Sequence, residues 1–171
     1  FHIPCVNYRS DLLSLRSIMR MRLMLLGGGN ALGQALIRLG AEERDEDQDL
    51  IRDLLVTLYE QKADYTLAFR RLSDAAEDGV ADARLAALLE DPEALTPWLA
   101  AWRERLRLDT TGPQDRASAM RGVNPAFIPR NHKVEEALTA AVDHGDFSLF
   151  EALNDVLAKP YEDQPAFAAY A

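Results

Sequence analysis

From residue 47 to residue 157 the apolar positions recur every three or four residues, the period at which side chains return to one face of an α-helix. Leu50, Ile51, Leu54, Leu55, Leu58 and Tyr59 form one such stripe and predict a helix over 47–62. Asp47 and Asp49 stand at its start, where carboxylates favour the positive end of the helix dipole. After a very short link, Asp64 is placed to cap a second, antiparallel helix, whose stripe is Tyr65, Ala68, Phe69 and Leu72 and which Gly79 ends. Leu85, Leu88 and Leu89 mark a third helix. Asp91-Pro92 starts a fourth with the proline at its first position, and Leu95, Trp98, Leu99, Trp102 and Leu106 face inward. The two tryptophans, four residues apart, bury against one neighbour in this reading, with Arg103, Glu104, Arg105 and Arg107 outward or at the rim. The other use of such a pair is a stacking platform for a base or sugar.

A polar break over 109–113 separates this helix from a short one at 114–121. The chain then runs through Met120-Arg121-Gly122-Val123-Asn124-Pro125-Ala126-Phe127-Ile128-Pro129-Arg130-Asn131-His132. Each proline pushes the residue before it out of the α region, so this stretch is a shaped connector between helices. An exposed loop has no need of Phe127 and Ile128. They predict a buried, core-anchoring connector whose Arg130 and Asn131 satisfy loose backbone groups. A ligand or partner contact at Arg130-Asn131-His132 is the functional alternative. Asn131 is placed to cap a helix to His144, Gly145-Asp146 turns the chain into a last helix through Leu157, and Lys159-Pro160 ends it before an irregular tail. No alternating strand pattern and no fixed-period repeat occurs, so the predicted fold class is all-α.

Composition sharpens this picture in three ways. The 171 residues, 48% of them apolar, suffice for one domain with a core. The net charge is -9, but Arg9, Arg16, Arg20, Arg22 and Arg38 against Asp11 give residues 1–38 a local +4, leaving -13 on the rest. An acidic body argues against nucleic acid as a partner, because that affinity comes from Lys and Arg on phosphates. Cys5 is the single cysteine, which excludes an internal disulfide and fits a reducing, cytoplasmic compartment. Arginines interrupt the longest apolar stretch, between Ile18 and Leu26, so no membrane span is expected. The Arg-rich, acid-poor residues 1–26 superficially resemble a transit peptide, but an amphipathic helix has the same composition.

Candidate chemistry is thin. Gly28 and Gly33 have the spacing of a phosphate-binding loop, but Gln34 and Ala35 stand where Lys and Ser or Thr are needed, and no strand precedes it for a dinucleotide fingerprint. The glycine run 27–33 reads as a break between helical segments. Glu42, Glu43, Asp45, Glu46, Asp47 and Asp49 lack the ordered spacing and central glycine of a calcium loop and read as a solvated charge run. His132 and His144 are twelve apart with no third ligand, His2 stands alone, and Cys5 has no activating base. No catalytic, cofactor-binding or metal-ligating residue is assigned.

One resemblance adds to this reading. The connector 120–132, Val134-Glu135-Glu136-Ala137-Leu138, Gly145-Asp146-Phe147, Lys159-Pro160-Tyr161-Glu162-Asp163-Gln164-Pro165 and Tyr170-Ala171 follow one another as in the C-terminal part of the selenoprotein O family, the kinase-like protein adenylyltransferases. Upstream, Ala63-Asp64-Tyr65-Thr66 and Phe69-Arg70-Arg71-Leu72-Ser73 also resemble that family. The likeness spans residues 39–171, whereas residues 1–38 form a divergent segment with the Gly-rich break. It implies a helical C-terminal portion of a protein-kinase-like fold, in a protein that transfers AMP from ATP, with magnesium or manganese, to hydroxyl side chains of substrate proteins. The kinase-like core, with its nucleotide and metal ligands, lies before this segment in the family and is its implied partner. The segment itself is expected to give structural support without a cofactor of its own, and to be inactive alone. Opening on Phe1 and closing without the family's cysteine-bearing tail, the chain is expected to be truncated at both ends. A free-standing all-helical interaction module without enzymatic activity is the alternative.

Overall fold

A computed structural model describes residues 45–171, and within them every regular element is helical, so the fold class is all-α as the periodicity predicts. Expectations for residues 1–38, including the glycine run, His2 and Cys5, lie outside the described residues. Helix α1 spans Asp45–Glu60 and α2 spans Tyr65–Glu77. A 3₁₀ turn at Gly79–Ala81 leads into the short α3, Asp82–Ala86. A second 3₁₀ turn at Pro92–Leu95 precedes α4, Thr96–Leu106, followed by α5, Pro113–Arg121. After the connector come α6, Asn131–His144, and α7, Ser148–Leu157. The tail then coils into 3₁₀ turns at Pro165–Tyr170, more ordered than the irregular end expected.

The main core gathers Leu54 and Leu58 of α1, Leu72 and Ala75 of α2, Leu85 of α3, Trp102 of α4 and Met120 of α5. Helix α2 packs most extensively on α5, α1 on α4, and α6 on α7. The predicted pairing of α1 with α2 is therefore confined to a short link and a shared core. The link turns at Lys62, whose φ of 52° is left-handed, while Ala63 N–H donates to Leu58 O at 2.9 Å. No glycine marks this turn, because the backbone bonds of the helix end compensate a residue that has a Cβ.

Local chemistry explains the other boundaries. Asp64 caps α2 as expected, accepting from Leu67 N–H at 2.9 Å. Gly79 does not end that helix. Asp78 does, with an extended backbone and a carboxylate that accepts from Val80 N–H at 3.0 Å. Asp91 accepts from Glu93 N–H at 3.0 Å, so Pro92 opens a 3₁₀ turn and not the fourth helix itself, which starts at Thr96 with Pro97 in its first turn. Asn131 does not cap α6, because Arg130 takes the extended cap conformation and makes no side-chain cap bond. At the other end Gly145, φ 66°, closes α6 as predicted, with Gly145 and Asp146 N–H groups donating to Ala141 and Ala140 carbonyls.

Candidate functional site

Met120, in the last turn of α5, lies inside the main core, and Asn124 N–H turns back to Met120 O at 2.8 Å as the chain leaves the helix. The connector then lies between α2 and the tail. Arg70, on the polar flank of α2, is the hub, with a side chain only 7% exposed. Its Nη1 donates to the carbonyls of Arg121, Asn124 and Tyr161 at 3.3, 3.1 and 3.2 Å, and its Nη2 donates to Asp163 at 2.7 Å. The planar fork of guanidinium serves the carbonyls from one nitrogen and the carboxylate from another, a fixed two-point geometry that the single nitrogen of an ammonium does not reproduce.

Further bonds close the clasp. Ala126 and Phe127 N–H both donate to Pro160 O, at 2.8 and 3.1 Å, and Gln164 Nε2 donates to Val156 and Lys159 carbonyls at 3.0 Å each. One turn along α2 from Arg70, Ser73 accepts from Asn124 Nδ2 at 3.1 Å. Arg121 pairs with Asp74 at 2.9 Å and Glu77 at 2.7 Å. Burial works against its charge, but those two carboxylates hold its pKa above the ordinary arginine value. Phe127 is buried in a second, smaller core with Ala126 and Val156, against which Leu157, Phe167 and Tyr170 pack. Ile128 is half-buried.

The candidates from sequence separate here. Arg130 is spent on an ion pair with Asp64, the residue that also caps α2, while Asn131 and His132 are exposed. Arg130 thus bonds a carboxylate and not the loose backbone groups expected of it. His132 and His144 sit at opposite ends of α6, about 18 Å apart at 1.5 Å per residue. Trp98 and Trp102 stack at 5.5 Å between centroids and are buried, and Trp98 Nε1 donates to Leu50 O at 2.7 Å, so the pair is core and not a platform. The acidic run is not wholly solvated: Asp47 is buried and takes two bonds from Arg105, at 2.6 and 3.0 Å. Arg105, expected outward or at the rim, is half-buried with its side chain largely covered, because α4 lays it against α1. Asp49 stays exposed and pairs with Arg52.

Sequence reasoning missed the roles of Arg70 and Asp163, and that of Arg116, which pairs with Asp109 at 3.2 Å. The available signal was Arg70 and Ser73, one turn apart on α2 and off its apolar stripe. Among the described residues no group of three or more His, Cys, Asp or Glu could hold a metal ion. No described helix is long and apolar enough to cross a membrane.

The stretches of this clasp from Asp64 through the connector carry the family likeness. Residues 15–158 match the sequence profile of the family described as Protein adenylyltransferase SelO. The chain belongs to that family. The profile begins inside the segment 1–38 and stops at Ala158, just before the tail. Proteins named Protein nucleotidyltransferase YdiU are similar. That of Rhizobium meliloti (strain 1021) is 57% identical over 129 residues, covering 75% of this chain and 26% of its own length. That of Rhizobium leguminosarum bv. trifolii (strain WSM2304) is 60% identical over 130 residues, 76% of this chain and 26% of its own. That of Bradyrhizobium diazoefficiens (strain JCM 10833 / BCRC 13528 / IAM 13628 / NBRC 14792 / USDA 110) is 53% identical over 129 residues, with 75% and 26% coverage. The chain spans about a quarter of the length of the curated relatives it matches.

Proposed function

We propose that this chain is the helical C-terminal part of a protein adenylyltransferase, one that moves AMP from ATP to hydroxyl side chains of proteins, and that its work there is structural. The observation that carries the reading is the commitment of its charged groups. Arg70, Arg105, Arg116, Arg121 and Arg130 are all bonded to carbonyls or carboxylates of the chain itself. Guanidinium groups held this way are tied into the fold, and the described residues do not fit an ATP–metal complex, which needs carboxylates grouped on a cation and donors turned toward phosphates. ATP with magnesium or manganese belongs, in this reading, to a kinase-like core of the same polypeptide, and substrate proteins meet that core. The single cysteine supports a cytoplasmic setting.

Two measurements test the reading. The chain alone, incubated with labelled ATP, magnesium or manganese and a generic protein acceptor, is expected to give no transfer above a blank; transfer by the chain itself would place the active site here. Grafted into the Rhizobium meliloti relative in place of the matching quarter, it is expected to restore a cooperatively folded protein that transfers label. In that graft Arg70→Lys is expected to lower the melting temperature while leaving the KM for ATP at its parent value. A selective rise in that KM without loss of stability would overturn the structural role.

A further inference from the structure

The described residues build two cores that share no side chain. The main core and the residues packed on it run from Leu50 to Met120, on α1 to α5. The second core and its packed residues run from Ala126 to Tyr170, on the connector, α7 and the tail. Helix packing divides at the same place, since the extensive contacts of α6 are with α7, and those of α7 are with α6 and the tail. Among the described residues, the side-chain bonds that cross this divide converge on α2. Arg70 reaches forward to Tyr161 O at 3.2 Å and to Asp163 at 2.7 Å, and Arg130 reaches back to Asp64, the cap of the same helix. Ala126 and Phe127, by contrast, donate to Pro160 O within the later group, so connector and tail close on each other.

We propose that residues 126–171 are a latched flap: they leave the α1–α5 body and lose their helices as one unit, and the polar clasp on α2 is the latch. Releasing the latch exchanges bonds to carbonyls and carboxylates for bonds to water, which costs far less than parting an apolar core. Two helices of 14 and 10 residues with so small a core do not hold together alone, so release and melting are one event. The body takes nothing from the flap into its own core and keeps its helices, which is the condition for opening in parts and not all at once. Release presents to solvent the flank of α2 that carries Arg70 and Ser73. The inference does not depend on the adenylyltransferase reading, since every contact it uses lies within this chain.

Native-state hydrogen exchange on the full 171-residue chain tests it. The slowest amides of α6 and α7 are expected to share one level of protection, below that of the slowest amides of α2 and α5. Two kinds of substitution then separate flap from body. Leu54→Ala, in the main core, weakens the native and the flap-open forms equally, so it is expected to speed exchange in α1 and α2 about thirtyfold or more while leaving the rates of α6 and α7 unchanged. Ile51→Val, in the same core, gives the same contrast at a few-fold if the alanine variant does not fold. Arg70→Lys loosens the latch and is expected to speed α6 and α7 together, by about tenfold or more. A main-core variant that accelerates α6 and α7 by the same factor as α2 would show that the chain opens only as a whole, and would overturn the proposal. So would α6 and α7 amides that exchange at unrelated levels, or rates there that Arg70→Lys leaves unchanged.

Discussion

Arg70 concentrates more of this fold than any other single side chain, because one guanidinium holds three carbonyls and a carboxylate from segments up to 93 residues away. Lysine keeps the charge but offers one point of donation. Arg70→Lys is therefore expected to cost about 2 kcal/mol or more in a denaturant titration, since carbonyls that lose a buried donor cost roughly 1–3 kcal/mol each. Asp163 sits at the other end of the same bond but is 73% exposed, so Asp163→Asn is expected to stay within about 1 kcal/mol of the parent. An equal loss for both variants would show that the ion pair, and not the carbonyl bonds, carries the hub. Phe127 is a packing residue with 4% exposure, and Phe127→Ala is expected to cost about 3–5 kcal/mol from lost transfer energy and an unfilled cavity. An unshifted midpoint would return the connector to an ordinary surface loop.

Between elements, two buried ion pairs fix how helices meet. Asp47 of α1 and Arg105 of α4 are 1% and 10% exposed and bonded at 2.6 Å. Asp47→Ala takes the carboxylate away from a largely buried guanidinium and is expected to cost about 3 kcal/mol, whereas the double change Asp47→Leu, Arg105→Met is expected to recover most of that loss, because apolar replacements of buried pairs are often neutral. The α4–α5 corner is held by Asp109, which accepts from Thr111 N–H at 3.1 Å and from Arg116 at 3.2 Å, while Arg116 also donates to Thr111 O. Burial alone raises the Asp109 pKa, but the hydrogen bonds from Thr111 and the Arg116 guanidinium outweigh it and hold the carboxyl below its ordinary 3.8. A carboxylate depressed on folding stabilises fully above that ordinary value, and the stabilisation is lost as pH falls through the folded one. Thermal melts of the parent and Asp109→Asn are thus expected to differ most near pH 7 and to converge below about pH 4. A gap that stays constant down to pH 2 would remove this carboxylate from the acid response.

At the scale of the whole molecule, helices without sheet among the described residues and a stacked, buried tryptophan pair predict a helical far-ultraviolet circular dichroism spectrum and blue-shifted emission; emission at the fully solvated position would exclude the core built on Trp102. Periodicity by itself determined the all-α class and the inward stripes from Leu50 to Leu106, local capping chemistry the Asp64 cap and the Gly145 stop, and the apolar residues of a proline-bounded connector the burial of Phe127, because each rests on neighbouring residues alone. Motif order alone indicated the family. Only tertiary structure decided the partners of the charged groups. Asp47, in an acidic run, and Arg105, in a basic one, both read as solvent-facing, and only the approach of α4 to α1 buries them together. Arg70 likewise waits on a connector and a tail that come 51 and 91 residues later. A polar side chain becomes structural when distant backbone arrives beside it, and that meeting has no period along the chain.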